Sequence, residues 1–551
     1  MLKRIRITAI LLCLFILTTL AAACGSVSEP SGVQPTGLGT EKGPSNADFQ
    51  ESGLPIVNAK VVQKMAFVAD PVYATELGPD MYFFKEMEKR TNVNFEFEKL
   101  SPDQWTERRN LMFAANELPD LFIGSMTNGD IVTYSKAGQL MALNNLIDKH
   151  MPDYLKSLEG FPEKAKLYAP DGQMYGLSAT FTGGSAETPG ARAFINKKWI
   201  ESLGLSMPET YQEFYDVLVA FRDMDPDGNG KDDTIPLSGY GSGYTVDPFV
   251  AGPLGISFKG AKDMWQVVDG KMVFVVSHPQ YRTYLENMRQ LFSEKLLDQE
   301  YYTQNDAQMK AKGEQLLLGA FTYAAHFVLT GSTDPAIYDQ YAVPQPLTSD
   351  VFTKKVWYGQ AVPSPRIFLT SANKNPEVTL RYFNEIFTEE GAELMVGPVE
   401  GEWDGEGGRV WNKDKTQYTY SIPQGYNGIW DWTCKVIAPV QSFQGFMQFS
   451  RIKAQEQKSP EDASFKDAMA ANVAPFLDPG APSLFFTLEE TEAIKLIEDS
   501  VNTYTKQMEA KIIMGEETLD AYETMLEQLK TMGIDKMEEV YNTAYQRYLS
   551  N

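Results

Sequence analysis

Cysteine and histidine are scarce in this 551-residue chain, with three of each. Cys13 lies inside an amino-terminal apolar run and Cys24 just beyond it, so only Cys434 remains for the body and no internal disulfide can form. His150, His278 and His326 fall in no HExxH or similar metal spacing, no G-x-S-x-G elbow occurs, and Cys434 lacks a recognisable partner motif. Those absences remove the commoner zinc-hydrolase and serine- or cysteine-nucleophile classes. Positive charge is also short. Once residues 1–23 are set aside, 73 acidic groups face 46 basic ones, a net charge of −27 that disfavours nucleic acid and other polyanions as partners. Apart from residues 7–20, no apolar run approaches the roughly 20 residues needed to span a bilayer. Stability must therefore come from burial, and 43% hydrophobic content in a body of this length suits two or more lobes.

What is present begins at the amino terminus. Lys3, Arg4 and Arg6 precede the apolar stretch 7–20, and Ala21, Ala22 and Ala23 follow it, the layout of an export signal over 1–23. Cys24 comes next. A cysteine directly after small residues at the end of such a signal resembles a bacterial lipobox, in which the thiol is acylated, palmitate being the usual chain, and becomes the first residue of the mature protein. The stretch 24–55 is largely Gly, Ser, Pro, Thr and Glu and reads as a flexible linker. The expected location is the extracellular face of the cell membrane, held by lipid alone.

Along the body, residues 60–68 read as a strand, 80–91 (DMYFFKEMEKRT) as a helix, VNFEFEKL as a strand, 102–115 as a helix and LFIG as another short strand. Strands that alternate with helices in this way predict an α/β fold with a largely parallel sheet. The segments NELPDLFIG, YSKAGQLMALNNLID, DGQMYGLSA and RAFINKKWIESLGLSMPETYQEFYDVLVAFRDMDPDGNGKDDTIPLSG, in that order and spacing, resemble extracellular solute-binding proteins of the saccharide-binding cluster. SANKNPEVTLRYFNEIFTEEGAELM resembles the helix pair by which that family returns to its first lobe, and residues 508–551 resemble the terminal helices of its longer lipoprotein members.

The resemblance implies a two-lobed, type II periplasmic-binding-protein-like fold with a helical carboxyl-terminal tail. It places lobe 1 at 56–180 and 361–410, and lobe 2 at 181–360 and 411–551, with hinge crossings near 175–184, near 359–365 and between 411 and 428. It also implies a monomer that binds an oligosaccharide between the lobes and presents it to the permease subunits of an ABC importer, not an enzyme. Two other readings stay open: a secreted polysaccharide hydrolase or lyase, which needs only two well-placed carboxylates, and a saccharide sensor that differs only in its membrane partner.

Two sets of residues carry the site expectations. Asp225, Asp227, Asn229, Lys231, Asp233 and Thr234 place oxygens at alternate positions of a tight loop, and Gly230 at the sixth position permits the sharp turn of a Ca²⁺ loop. Lys231 would offer its carbonyl. The twelfth position is Pro236, so the bidentate Glu of an EF-hand is missing, and an ion held here would be structural. For a saccharide, flat aromatic surfaces meet the apolar CH faces while Asp, Asn or Arg meet the hydroxyl rim. The densest aromatic segment holds Tyr426, Trp430 and Trp432, where the two tryptophans share a face if the chain is extended. Trp357 and Trp403 are further aromatic candidates; Arg192, Asp130 and Asn128 are polar ones placed by position alone, and Trp199 is expected in the core.

Overall fold

Alternation of buried and exposed residues in VVQKMAFV makes Val61–Val68 the first strand (β1), and it pairs in parallel register with β2 (Val93–Leu100), from Val61 opposite Val93 to Val68 opposite Leu100. The helix between them, Tyr82–Thr91, buries Phe83, Phe84 and Met87 and ends where Asn92 takes the left-handed conformation. β3 (Leu121–Ile123) joins β1 in parallel, while β12 (Pro365–Leu369) runs antiparallel to both β3 and β4 (Leu177–Ser178). The resulting sheet has the order β2-β1-β3-β12-β4.

A second sheet has the order β10-β5-β9-β6, from β5 (Arg192–Asn196), β6 (Ile235–Ser238), β9 (Leu318–Tyr323) and β10 (Tyr341–Ala342). One strand opposes the rest in each sheet, β12 in the first and β5 in the second, so the largely parallel reading holds in both apart from these two strands. Among the described residues three two-stranded pairs complete the set: β7 (Trp265–Val268) with β8 (Lys271–Phe274), β11 (Trp357–Tyr358) with β15 (Leu477–Asp478), and β13 (Gly408–Trp411) with β14 (Tyr418–Ser421).

These elements come from a computed structural model that describes residues 49–69, 77–159, 167–178, 192–241, 243–257, 264–332, 334–358, 365–426, 428–439, 455–457, 460–478 and 480–550. The export signal and Cys24 lie outside the described residues. Among the described residues no helix is long and apolar enough to cross a membrane.

Separate cores mark the two lobes. One side of the first sheet buries Met65, Phe67, Phe95, Leu121, Ile123 and Ile367, and its other side buries Ala66, Trp105, Phe122 and Phe368. The second sheet shares a single large core with the helices Tyr211–Asp223, Tyr281–Ser293, Leu488–Met514, Ala521–Met532 and Ile534–Ser550. The tail is thus an integral layer of lobe 2, fastened for example by Tyr541 stacked on Trp265 with centroids 3.6 Å apart. Trp199 lies in this core as expected.

Two expected boundaries move. The linker was placed as far as residue 55, yet Ile56 and Val57 are fully buried, Phe49 meets His150 edge-on at 5.7 Å, and Arg381 donates to the carbonyls of Gln50 and Gly53. The third crossing was placed between 411 and 428, with everything from 411 onward in lobe 2. Instead Trp432, Cys434, Ile437 and Ala438 belong to the lobe 1 core and Phe465 to the lobe 2 core, so the chain changes lobe after Ala438. A β-hairpin, β13 and β14, followed by the short helix Ile429–Trp432 and a π-turn Thr433–Ile437, fills the interval. The first two crossings fall on residues outside the described set, bracketed by Ser178 and Arg192 and by Tyr358 and Pro365.

Candidate functional site

In an open α/β sheet, ligands meet the carboxyl ends of the strands, where loops and helix amino termini converge. In both lobes this is also the edge at which the chain crosses. In lobe 1, β3 is followed by Gly124, whose N–H donates 2.9 Å to the carbonyl of Arg366 at the start of β12. In lobe 2, Arg192, the first residue of β5, pairs with Tyr323, the last residue of β9. The two lobes touch beside these edges: Asn128 donates to the Leu484 carbonyl at 2.8 Å, and Lys136 meets Glu489 at 3.1 Å.

The lobe 2 edge gathers phenols around one carboxylate. Tyr323 donates 2.6 Å to Asp306, Tyr240 donates to the same oxygen at 3.4 Å, and the ring of Tyr244 lies 4.6 Å from that of Tyr323. Burial and then the Asp306 charge push the Tyr244 phenol above its usual range, so it remains an uncharged donor at neutral pH. Arg192 donates to the Ala324 carbonyl, and its guanidinium lies 5.4 Å from the ring of Phe465. Tyr240, Tyr244, Tyr323 and Asp306 were not singled out in the sequence, because each looks locally like strand or helix-start filler and only tertiary pairing assembles them. Arg366 was missed for the same reason. Its side chain is part-buried with no hydrogen-bonding or ionic partner among the described residues, and burial lowers its guanidinium pKa.

Three of the aromatic candidates meet in a different place, a lobe 1 pocket of about 430 Å³ lined by Trp403, Tyr426 and Trp432 together with Tyr82. The Gly-rich turn around Trp403 has a steric cause: a Cβ on Gly405 would lie 2.2 Å from the Trp403 ring. The indole N–H of Trp403 donates 2.7 Å to the Gly407 carbonyl, and its ring meets Tyr82 edge-on at 5.4 Å. Arg409, buried behind the turn, donates to Glu393 at 2.6 Å and lies over Trp411 and Tyr418. Trp430 and Trp432 do not share a face, because Ile429–Trp432 is helical and residues two apart point to nearly opposite sides. Trp432 is fully buried, while Trp430 is 44% exposed.

The remaining candidates have other contacts. Trp357 is 3% exposed in the lobe 2 core and donates to the Asn472 carbonyl at 3.2 Å. Asp130 accepts from Arg109 at 2.7 Å and from the Thr127 N–H, closing a capping box on the helix Asn128–Lys136. In the acidic loop, Gly230 N–H donates to Asp225, Asn229 N–H to Asp227, and Lys231 N–H to Asn229, so successive side chains curl toward one another. The Asn229 amide bridges Asp227 at 2.7 Å and Asp233 at 3.0 Å. Partial burial, followed by Asp225 and Asp233, raises the Asp227 carboxyl pKa. The Thr234 hydroxyl, counted among the loop's oxygen ligands, donates instead to the Phe221 carbonyl at 3.1 Å and so ties the loop to the preceding helix.

No protein-family model matches the chain. The fructooligosaccharide ABC transporter substrate-binding protein FusA of Streptococcus pneumoniae is 26% identical over 534 residues, covering 93% of this chain and 95% of FusA. The polygalacturonan/rhamnogalacturonan-binding protein YtcQ of Bacillus subtilis is 22% identical over 489 residues, 84% of this chain and 88% of its own. The solved structure of FusA in complex with kestose superposes with a TM-score of 0.71 at 23% identity, covering 89% of this chain and all of that one. An HMO-binding, ABC-transporter-associated solute-binding protein from Bifidobacterium longum infantis gives 0.73 at 19% identity, covering 89% and 99%. Through both lobes and the tail the chain is thus similar to substrate-binding proteins of ABC transporters, and it shares their two-lobed fold.

Proposed function

We propose that this protein binds an oligosaccharide between its lobes at the cell surface and delivers it to an ABC import permease. The observation that carries this reading is the phenol-rich edge of lobe 2, where Tyr240, Tyr244 and Tyr323 surround Asp306 beside a chain crossing. Uncharged phenols offer both a flat apolar surface and a donor, and Asp306, 45% exposed, offers acceptors for sugar hydroxyls. Arg192 lies at the same edge and Arg366 at the facing edge of lobe 1, so a ligand in contact with both edges favours the closed arrangement. The relatives support the substrate class: FusA is a fructooligosaccharide-binding protein solved with kestose, and YtcQ is named for polygalacturonan and rhamnogalacturonan.

In the same reading Cys24 carries the lipid anchor, in keeping with a relative named lipoprotein LipO from Bacillus subtilis that is 28% identical over 45% of this chain. The acidic loop suits a hard cation, since Asp225, Asp227 and Asp233 crowd their charges together and Asn229 adds an amide oxygen once its side chain turns. Ca²⁺ held there would neutralise that repulsion and brace the end of the helix Tyr211–Asp223, with no part in ligand chemistry.

A thermal-shift screen tests the binding reading, using kestose, neutral hexose oligomers and galacturonate oligomers. Ligand at a hundred times its Kd stabilises the folded state by about 2.7 kcal/mol. A raised melting temperature with a saccharide that is recovered intact is the expected result. Release of shorter sugars, or no shift with any member of the panel, would sink the reading.

A further inference from the structure

We infer that the lobe 1 pocket beside Trp403 is a second saccharide site, one that works without lobe closure and prefers neutral or amine-bearing sugars to uronates. Its saccharide chemistry rests on the binding function proposed above; its location and charge preference do not.

Four features lead to this assignment. First, at about 430 Å³ the pocket lies within the range of small-molecule sites, roughly 300–1,000 Å³. Among the described residues, those lining it all come from lobe 1, from the start of the helix Tyr82–Thr91 to the π-turn at Thr433–Ile437. Second, three of its walls are half-buried aromatic side chains, Tyr82, Trp403 and Tyr426, which supply the apolar faces on which sugar rings pack. Burial followed by the nearby Glu86 charge pushes the Tyr82 phenol up to about 12, so it stays a donor.

Third, Trp432 lines the pocket and is fully buried, yet its indole N–H has no acceptor among the described residues. A buried donor left unpaired is costly, and a ligand hydroxyl would satisfy it. Fourth, among the described residues the rim carries the carboxylates of Asp80, Glu86, Asp404 and Glu406 against the one ammonium of Lys85. That balance provides acceptors for hydroxyls or an amine and repels a uronate. Because closure adds no contact here, affinity should stay weak, with a Kd on the order of 10 mM.

The test is an NMR titration of the whole mature protein, following the indole N–H signals of its eight tryptophans. The signals of Trp403 and Trp432 are assigned by their loss in Trp403→Phe and Trp432→Phe. Kestose, glucosamine and galacturonic acid are each added to about 20 mM, which fills two-thirds of a site whose Kd is about 10 mM. Kestose and glucosamine should move both signals, and galacturonic acid should leave them in place. Tyr426→Ala should weaken those shifts at least five-fold without altering the response of the other indoles. The proposal is overturned if neither neutral nor amine probe moves the Trp403 and Trp432 signals, or if galacturonic acid moves them as strongly. Other indoles responding to kestose while these two stay still would sink the pocket and leave the interlobe reading standing. The converse pattern would sustain the pocket and count against the interlobe site.

Discussion

Raising the pH should loosen lobe 2 through two carboxylates enclosed by tyrosines. Asp247 accepts from Thr245 and Tyr284, and Glu509 accepts from Tyr281 at 2.6 Å. Burial raises Asp247 from 3.8 to about 6 and Glu509 from 4.5 to about 7, the charge of Asp247 adding to the latter and Lys506 partly opposing it. A folded pKa above the unfolded value means that the folded state binds protons more tightly. The stabilisation is therefore fully present below about pH 4 and is lost as pH rises through about 6 to 7. Raising the Glu509 carboxyl from 4.5 to about 7 corresponds to about 3 kcal/mol, trimmed by solvent because the residue is only part-buried. Urea unfolding at pH 5 and pH 8.5, compared between wild type and Glu509→Gln, isolates this group, since glutamine keeps an acceptor for Tyr281 and cannot ionise. The wild type should lose on the order of 2 kcal/mol more than the variant over that interval. Equal losses in the two proteins would refute the reasoning.

Further outcomes follow from the same structure. Cys24→Ser should release the protein from membranes into the medium, measured by fractionation; unchanged retention would exclude an anchor through that residue. A Ca²⁺ chelator should lower the melting temperature, and Asp227→Ala should abolish that sensitivity; a wild type indifferent to chelation would make the acidic loop a turn and nothing more. Trp432→Ala should cost on the order of 3 to 5 kcal/mol of folding free energy, whereas Trp430→Ala, at an exposed position, should stay within about 0.5 kcal/mol. Similar losses for the two would contradict the helical turn that separates them. Tyr244→Ala should weaken the best saccharide from the thermal-shift screen about ten-fold or more, a loss on the order of 1 to 3 kcal/mol; unchanged affinity in calorimetry would move the binding edge elsewhere.

Sequence by itself determined the features that repeat locally. The alternation VVQKMAFV, the helix DMYFFKEMEKRT and the strand VNFEFEKL specified the first β-α-β unit, because side-chain period decides which face can be buried. The acidic spacing from Asp225 to Asp233 likewise fixed a curled loop, since each Asx side chain captures a backbone N–H a few residues on. Tertiary structure alone decided the rest. Whether Trp430 and Trp432 share a face depended on a four-residue helix too short to leave a periodic signal, and packing against lobe 1 set it. The lobe to which residues 411–438 belong was a choice between two apolar cores that composition does not distinguish. The cluster of Tyr240, Tyr244, Asp306 and Tyr323 joins residues up to 83 positions apart at one sheet edge, and such proximity is a property of strand order, which no local pattern encodes.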